Sequence, residues 1–313
     1  MRVLVTGARG FVGRHLVAAL NERGHLVIPT DHHPHEDSLG VDVTDPLAVR
    51  GAVELAQPDA IAHLAAQAFV PASIEDPQGT YAINVGGTQH ILEAVRGFVN
   101  EGGRHPRVLV ASSGDVYGAQ PASAYPLRET TAAEPANPYA ASKVAAEATA
   151  LAYARTYGLE VVVTRAFNHI GPGQDERFAV AGFAAQLARV AAGLAPAVSV
   201  GNLEASRDFL DVRDVCAAYV ALLEGEGTPG QLYNIASGTA TPLKEILRRL
   251  VEIAHIGVEI REDPARMRPS DVPVSVGDAS KLREATGWSP RISLTAALRA
   301  VYDDARQRVQ VTR

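Results

Sequence analysis

An open, doubly wound α/β sheet is the fold class this 313-residue sequence predicts, and three observations predict it. The first is a glycine turn near the N-terminus, Thr6-Gly-Ala-Arg-Gly-Phe-Val-Gly13. It lies between a short apolar run, Val3 to Val5, and a stretch where Phe11, Val12, Leu16, Val17 and Leu20 recur at helical spacing. The second is the alternation of strand-like and helix-like segments through the first half, which builds a parallel sheet covered on both faces. The third is the placement of polar segments directly after predicted strands, at the sheet end where such folds bind ligands.

In chain order, the first unit is strand, glycine turn, helix. Gly7 permits the sharp turn, Gly10 lets backbone approach a pyrophosphate, and Gly13 lets the helix pack on the strand. The helix start at Phe11 and Val12, with Arg9 before it, then offers unpaired N–H groups to phosphate. This makes the unit a Rossmann-like dinucleotide site, with a glycine-rich βα loop of no special function as the bland alternative. Leu26 to Thr30 reads as the second strand and ends at Asp31, where a carboxylate accepts both hydroxyls of an adenosine ribose and repels a 2′-phosphate. That weights the cofactor toward NAD(H) over NADP(H), although the histidines that follow, His32, His33 and His35, offer a phosphate some attraction. Together with His25 they lack regular metal-ligand spacing, and we expect a solvated loop and no metal.

If Val41 to Asp45 is the third strand, Asp42 and Val43 fall at the adenine. Ala60 to Leu64 reads as the fourth, and Leu64, Ala65 and Ala66 leave room for the cofactor backbone. Arg107 to Ala111 and Glu160 to Arg165 are further strands, with helices at Asn84 to Arg96 and Tyr139 to Tyr157. After Ala166 the pattern loosens into Gly- and Pro-rich loops, short helices and isolated strands, better suited to lining a cleft than to extending a sheet. We expect a cofactor domain over residues 1–165. Residues 166–313 should form a smaller mixed α/β substrate region, docked closely, with some segments returning to the first domain.

Composition narrows the function. A formal net charge of −6 gives no electrostatic reason to expect nucleic acid or an anionic membrane as partner. The lone Cys216 forms no internal disulfide and reads as a packed core residue in a reducing compartment. No apolar run reaches membrane-spanning length. Met1 leads almost directly into a strand, so we expect no leader and a cytoplasmic protein.

The chemistry gathers around two segments. Ser112-Ser-Gly-Asp-Val-Tyr-Gly118 follows a strand, and Asn137-Pro-Tyr-Ala-Ala-Ser-Lys143 opens a helix with Pro138 in its first turn. Tyr139 and Lys143 then stand one turn apart on one face. A phenol is a weak acid, and lowering its pKa from ~10 to ~7 beside an ammonium needs ~4 kcal/mol of preferential stabilisation of phenolate. Ser113 can hydrogen-bond the substrate oxygen that exchanges a proton with Tyr139. Alone, a Tyr-x-x-x-Lys pair is commonly a surface contact; beside the glycine turn and Ser113 it reads as a catalytic set.

Together, Thr6-Gly-x-x-Gly-x-x-Gly13, His63-Leu-Ala-Ala66, Ser113 and Tyr139-x-x-x-Lys143 resemble the extended short-chain dehydrogenase/reductases along essentially the whole chain. The resemblance implies a Ser–Tyr–Lys triad and a nucleotide-sugar substrate. It also implies that Lys143 holds the nicotinamide ribose and that hydride passes between nicotinamide and a sugar carbon. The corresponding asparagine in that family, here Asn168, contacts the sugar diphosphate. Gly201 to Asp214 and Arg266-Met-Arg-Pro-Ser-Asp271 resemble segments of the GDP-mannose dehydratases and GDP-4-keto-6-deoxymannose reductases. They imply Arg207 on diphosphate, Asn202 near the base, Arg268 on diphosphate or ribose, and Asp271 on ribose hydroxyls. Arg213, Arg248 and Arg249 read instead as surface ion-pair formers.

Dehydratases of the family carry a glutamate two residues before the tyrosine of Val-Tyr-Gly; here that position is Asp115, one methylene shorter and facing the substrate. The elimination apparatus is therefore incomplete. The resemblance points to reduction of a GDP-linked 4-keto-6-deoxyhexose to GDP-rhamnose or a related sugar. A nucleotide-sugar 4-epimerase, a GDP-mannose 4,6-dehydratase and, remotely, a non-catalytic dinucleotide sensor stand as alternatives. Small apolar residues along 84–95 and 139–157 match helices that pair into four-helix bundles in the family, and imply a homodimer.

Overall fold

The structure, a computed structural model, describes residues 1–266 and 272–311. The chain starts with β1 (Arg2–Thr6), α1 (Phe11–Glu22), β2 (Leu26–Asp31), β3 (Leu39–Gly40), α2 (Pro46–Ala56) and β4 (Ala60–His63). Next come α3 (Val70–Glu75), α4 (Pro77–Tyr81), a π-helical turn (Ala82–Gly86), α5 (Gly87–Asn100), β5 (Arg107–Ser113), α6 (Pro138–Tyr157) and β6 (Val161–Ala166). The remainder holds β7 (Asn168–Ile170), α7 (Ala179–Ala191), β8 (Ala197–Val200), β9 (Ser206–Asp211), α8 (Val212–Leu223) and β10 (Gln231–Ile235). It closes with β11 (Ala240–Pro242), α9 (Leu243–Ala254), β12 (Glu259–Glu262), β13 (Val274–Ser275), α10 (Ser280–Thr286) and α11 (Leu294–Val311).

Seven parallel strands in the order β10-β6-β5-β4-β1-β2-β3 form the central sheet. Successive side chains on a strand face opposite sides, so β1 divides its residues between two cores. Val3 and Val5 pack with Leu16 and Leu20 of α1 and Val215 and Tyr219 of α8. Leu4 packs on the other side with Val49 and Val53 of α2 and Ile91 and Val95 of α5. A third core joins α7, α9 and α11 through Phe183, Leu187, Leu250 and Val301.

Local chemistry sets the helix ends. Asp45 caps α2, its carboxylate accepting from Leu47 and Ala48 N–H, with Pro46 in the first turn. Asn137 Oδ1 accepts from Ala140 N–H at 2.9 Å ahead of Pro138, fixing where α6 begins, and Gly158 ends it in the left-handed conformation.

Two expectations need correction. Val41 to Asp45 is not a strand: the short third strand is Leu39–Gly40, and Asp42 turns the chain, its Oδ1 accepting from Thr44 N–H and Oγ–H at 2.8 and 2.7 Å. A side chain that bonds its own backbone two residues on competes with ladder pairing. The region after Ala166 is also more regular than its Gly and Pro content implies. It supplies α7, α8, α9 and α11, and it does extend the sheet: β10 pairs in parallel with β6, and α8 covers the same face as α1. Four of the five β10 residues are buried, so an apolar run short enough to pass for a loop segment is a sheet strand.

Candidate active site

The glycine turn is tight for reasons visible at each glycine. Gly7 has φ +67° and a Cβ there would meet Ala65 N at 2.9 Å, while a Cβ on Gly13 would meet Gly7 O at 2.1 Å. Gly13 therefore seats α1 on the turn itself rather than on the strand before it. Gly10 stands at the N-cap of α1 with no side-chain cap, and the first turn of α1 holds no acidic residue. Its N–H groups face the C-terminal end of the sheet, an arrangement suited to an anion. Thr6 Oγ contacts buried His63 Nδ1 at 2.9 Å and accepts from Ala65 N–H at 3.2 Å, joining the turn to Leu64, Ala65 and Ala66. Asp31 Oδ2 accepts from Arg9 N–H at 3.0 Å and Oδ1 from His32 N–H at 2.9 Å; the Arg9 guanidinium pairs with Asp37. Val43 is buried, and its carbonyl accepts from His90.

His25 is part-buried against Glu224 rather than in a solvated cluster, whereas His32, His33 and His35 are exposed. Among the described residues no group of three or more His, Cys, Asp or Glu is arranged to hold a metal ion. Cys216 is a buried free thiol, pushed up by burial and therefore unreactive.

Ser113 and Tyr139 come together, the Ser113 hydroxyl hydrogen-bonding the phenol, and Lys143 stands one turn further along α6. Ser113 ends β5, its Oγ accepting from Asp115 N–H at 3.1 Å, and Tyr139 and Lys143 stand in the first two turns of α6. One expectation reverses here. Burial raises the Tyr139 pKa, the Asp115 carboxylate raises it further, and the Ser113 hydroxyl opposes both. Lys143 Nζ donates to Ala111 O at 2.8 Å, and burial pushes the ammonium down to about 8, against the pull of Glu147. Burial thus favours the neutral phenol over the phenolate.

A cavity of about 520 Å³ is lined by Asn168, Asn202 and Arg207 among others; no member of the trio lines it, and it meets the trio through α3, whose Ser73 accepts from Tyr139 N–H. On β9 the alternation of the strand sends Asp208 inward, where it accepts from Ser237 Oγ and N–H and from Gly238 N–H, while Arg207 faces the cavity. Asn202 Oδ1 accepts from Glu204 N–H. Arg268 and Asp271 lie outside the described residues. Arg213 pairs with Asp211, and Arg248 and Arg249 pair with Glu245, as their surface reading requires.

Several residues of the site were missed at the level of sequence. Ser73 on α3 is buried, accepts from Tyr139 N–H at 3.1 Å and donates to Val70 O at 2.7 Å. It fixes the cavity wall of Val70, Pro71 and Ile74 relative to α6. Asn84, in the π-helical turn, backs this up: its Oδ1 accepts from Gln67 N–H and its Nδ2 donates to Gln67 O and Ser142 Oγ. Phe69 meets Phe178 edge-on and Arg177 through its ring face, joining the two sides of the cavity mouth. His169 also lines the cavity, stacked on Phe11 with Nδ1 donating to Phe167 O. Only the π-helical turn, a common mark of functional sites, is a type of signal that reveals such residues, and it is invisible until the backbone is seen.

With this geometry in place, comparison with known proteins decides the family. The family model described as GDP-mannose 4,6 dehydratase matches residues 4–301. The chain belongs to that family. It is 41% identical over 99% of its length to the GDP-6-deoxy-D-mannose reductase of Pseudomonas aeruginosa, 98% of which is covered. It is 32% identical to the UDP-glucose 4-epimerase of Mycolicibacterium smegmatis over 99% of this chain and 100% of that one. The structure of RMD from Pseudomonas aeruginosa complexed with NADPH superposes with a TM-score of 0.88 at 39% identity, covering 98% of this chain and 100% of that one. Members of the GDP-mannose 4,6 dehydratase family and its neighbours are thus reductases, dehydratases and epimerases of nucleotide sugars, in accord with the extended short-chain dehydrogenase/reductase resemblance.

Proposed function

We propose that this protein reduces a GDP-linked 4-keto-6-deoxyhexose with NADH or NADPH, forming GDP-D-rhamnose from GDP-4-keto-6-deoxy-D-mannose. The observation that carries the reading is the placement of Tyr139, buried at the start of α6 with its phenol hydrogen-bonded to Ser113. When hydride reaches the C4 carbonyl, the new alkoxide needs a proton at once, and a phenol that starts protonated supplies it. Ser113 orients the same oxygen. Lys143 holds the nicotinamide ribose. The glycine-turn N–H groups and Arg9 hold the cofactor phosphates, with Asp31, Asp42, Val43 and residues 64–66 around its adenosine and backbone. Arg207, Asn168 and Asn202, with Arg268 and Asp271, hold the sugar nucleotide. Asp31 favours NADH, whereas Arg9 beside it and the NADPH bound by the Pseudomonas aeruginosa relative favour NADPH.

This reading assigns the cofactor to residues 1–165 and the sugar nucleotide mainly to 166–313, with α8 and β10 returning to the sheet. It also pairs two copies through α5 and α6. In support, the apolar residues of α6 are spread around the whole helix rather than along one face, as in a helix covered on both sides. No described helix is long and apolar enough to cross a membrane, and we place the enzyme in the cytoplasm.

The test is to mix the protein with GDP-4-keto-6-deoxy-D-mannose and NADH or NADPH and to identify the sugar formed. Consumption of cofactor with a 4-hydroxy product supports the reading; no consumption with either cofactor overturns it. A 4-epimerase is the second reading, favoured by the Mycolicibacterium smegmatis relative. It predicts cofactor retained through purification and no net oxidation of added NAD(P)H.

A further inference from the structure

Beneath the trio lies a charge pair that the chemistry above leaves unused. Glu147 sits on α6 one turn beyond Lys143 and is 4% exposed. Arg165 of β6 grips its carboxylate bidentately, Nε to Oε1 at 2.9 Å and Nη2 to Oε2 at 2.7 Å, and Ser112 Oγ–H donates to Oε1 at 2.5 Å. The Arg165 guanidinium lies 4.6 Å from the centre of the Tyr117 ring, whose hydroxyl donates to Asn234 at 2.7 Å.

Ser112, Tyr117 and Glu147 belong to elements that carry a candidate site residue, and Arg165 stands on the strand that leads into one. Ser112 and Tyr117 bracket Ser113 and Asp115, Glu147 follows Tyr139 and Lys143, and Arg165 leads into Asn168. Replacing a buried ion pair by well-packed apolar side chains is commonly neutral or stabilising. Fold stability alone therefore gives little reason for a charged pair at this spot.

Electrostatics gives one. The groups facing the catalytic pair are Glu147 on their own helix, Arg165 on β6, neutral His63 on β4, Asp115 on the turn after β5 and Tyr219 on α8. Two are anionic, and of these Asp115 acts on Tyr139 while Glu147 acts on Lys143. Without Glu147, two buried cations, Lys143 and Arg165, would share the floor.

We propose that Glu147, clamped by Arg165 and Ser112 one turn beyond Lys143 on α6, is a positioning residue: its carboxylate is the buried anion that balances the Lys143 ammonium in a dry site. The role rests on the reductase reading of the trio. The charged form of Lys143 is the one that holds the nicotinamide ribose, so activity falls as pH rises through its pKa. Removing a neighbouring opposite charge moves that limb down by about 1 pH unit or more.

The experiment compares two variants with opposite expected signs. In Glu147→Gln, which keeps shape and removes charge, the basic limb of the kcat/KM profile moves about 1 pH unit lower, with near-parental rates at pH 6. In Arg165→Met, which leaves the carboxylate facing Lys143 alone, the limb moves higher. NADPH binding followed by fluorescence across the same pH range shows the same displacements and requires no sugar substrate. If the parent binds NADPH but reduces no keto sugar, the reductase reading fails while the binding titration still decides the role of Glu147. A folded variant of either kind whose limb stays in place, or whose rate drops equally at every pH, overturns the proposal.

Discussion

Tyr139 is the residue on which the proposed mechanism turns, and its burial makes a direct prediction. Tyr139→Phe removes the proton donor and little volume, so kcat falls by ~10²–10⁴-fold while the circular dichroism spectrum and NADPH affinity stay close to the parent's. Equal turnover by the variant would sink the mechanism. His63 makes a second prediction at this scale. Burial, with the Lys143 charge as a lesser cause, holds it down to about 3, whereas an unfolded histidine titrates near 6.5. Between those values the unfolded chain takes up a proton that the folded chain does not, so stability falls as pH drops through that window. From pH 7 to pH 5 this contributes about 2 kcal/mol of lost stability. Urea midpoints of the parent and His63→Gln at both pH values should show a steeper decline in the parent. The trio and the glycines were legible in the sequence because each is a spacing on one element. The direction of the Tyr139 shift was not, because it depends on what surrounds the phenol across four elements. Glu147 lay in plain view one helical turn past Lys143, yet its partner Arg165 is a neighbour only once β6 pairs with β5.

At the scale of elements, the active site is assembled by bolting α3 and the π-helical turn to α6. Ser73 supplies one such bolt, satisfying the Tyr139 N–H within a buried first turn where no intrahelical acceptor exists. Ser73→Ala leaves that donor unpaired at a cost of ~1–3 kcal/mol. It also loosens the cavity wall, so we expect a lower thermal midpoint and a raised KM for the sugar nucleotide, with the KM for NADPH much less affected. Equal rises in both KM values would contradict this division. The strands and major helices of the first half were readable from periodicity, whereas α3 was not, since six residues give too few turns for a pattern. The third strand was misplaced because Val41-Asp-Val alternates like a strand while the Asp42 side chain diverts the backbone into a turn.

Across the whole molecule, the loop after β7 is held from two sides. Arg14 Nη2 and His15 Nε2 of α1 reach Gly173 and Pro172 carbonyls, and Asp304 Oδ2 of α11 accepts from Gly173 N–H. These bonds tie α1, the loop after β7 and α11 together. Pairing of α5 and α6 across a two-fold axis predicts a dimer near twice 33.0 kDa in solution. Charged substitutions on the outer face of α6, such as Ala148→Glu, should convert it to monomer in sedimentation experiments. A monomeric parent would refute the α5–α6 pairing.

The return of β10 to the sheet has a consequence for how the chain is made. All six residues of β6 are buried, and one edge of that strand is closed only by β10, which follows tens of residues later in the sequence. During synthesis the ribosome must deliver residues 167–230 before that edge can be capped. Through that interval an apolar strand stands open to pairing with other nascent chains. Expression yield of this protein should therefore respond to translation speed and chaperone supply in a way that its finished, edge-capped sheet would never reveal.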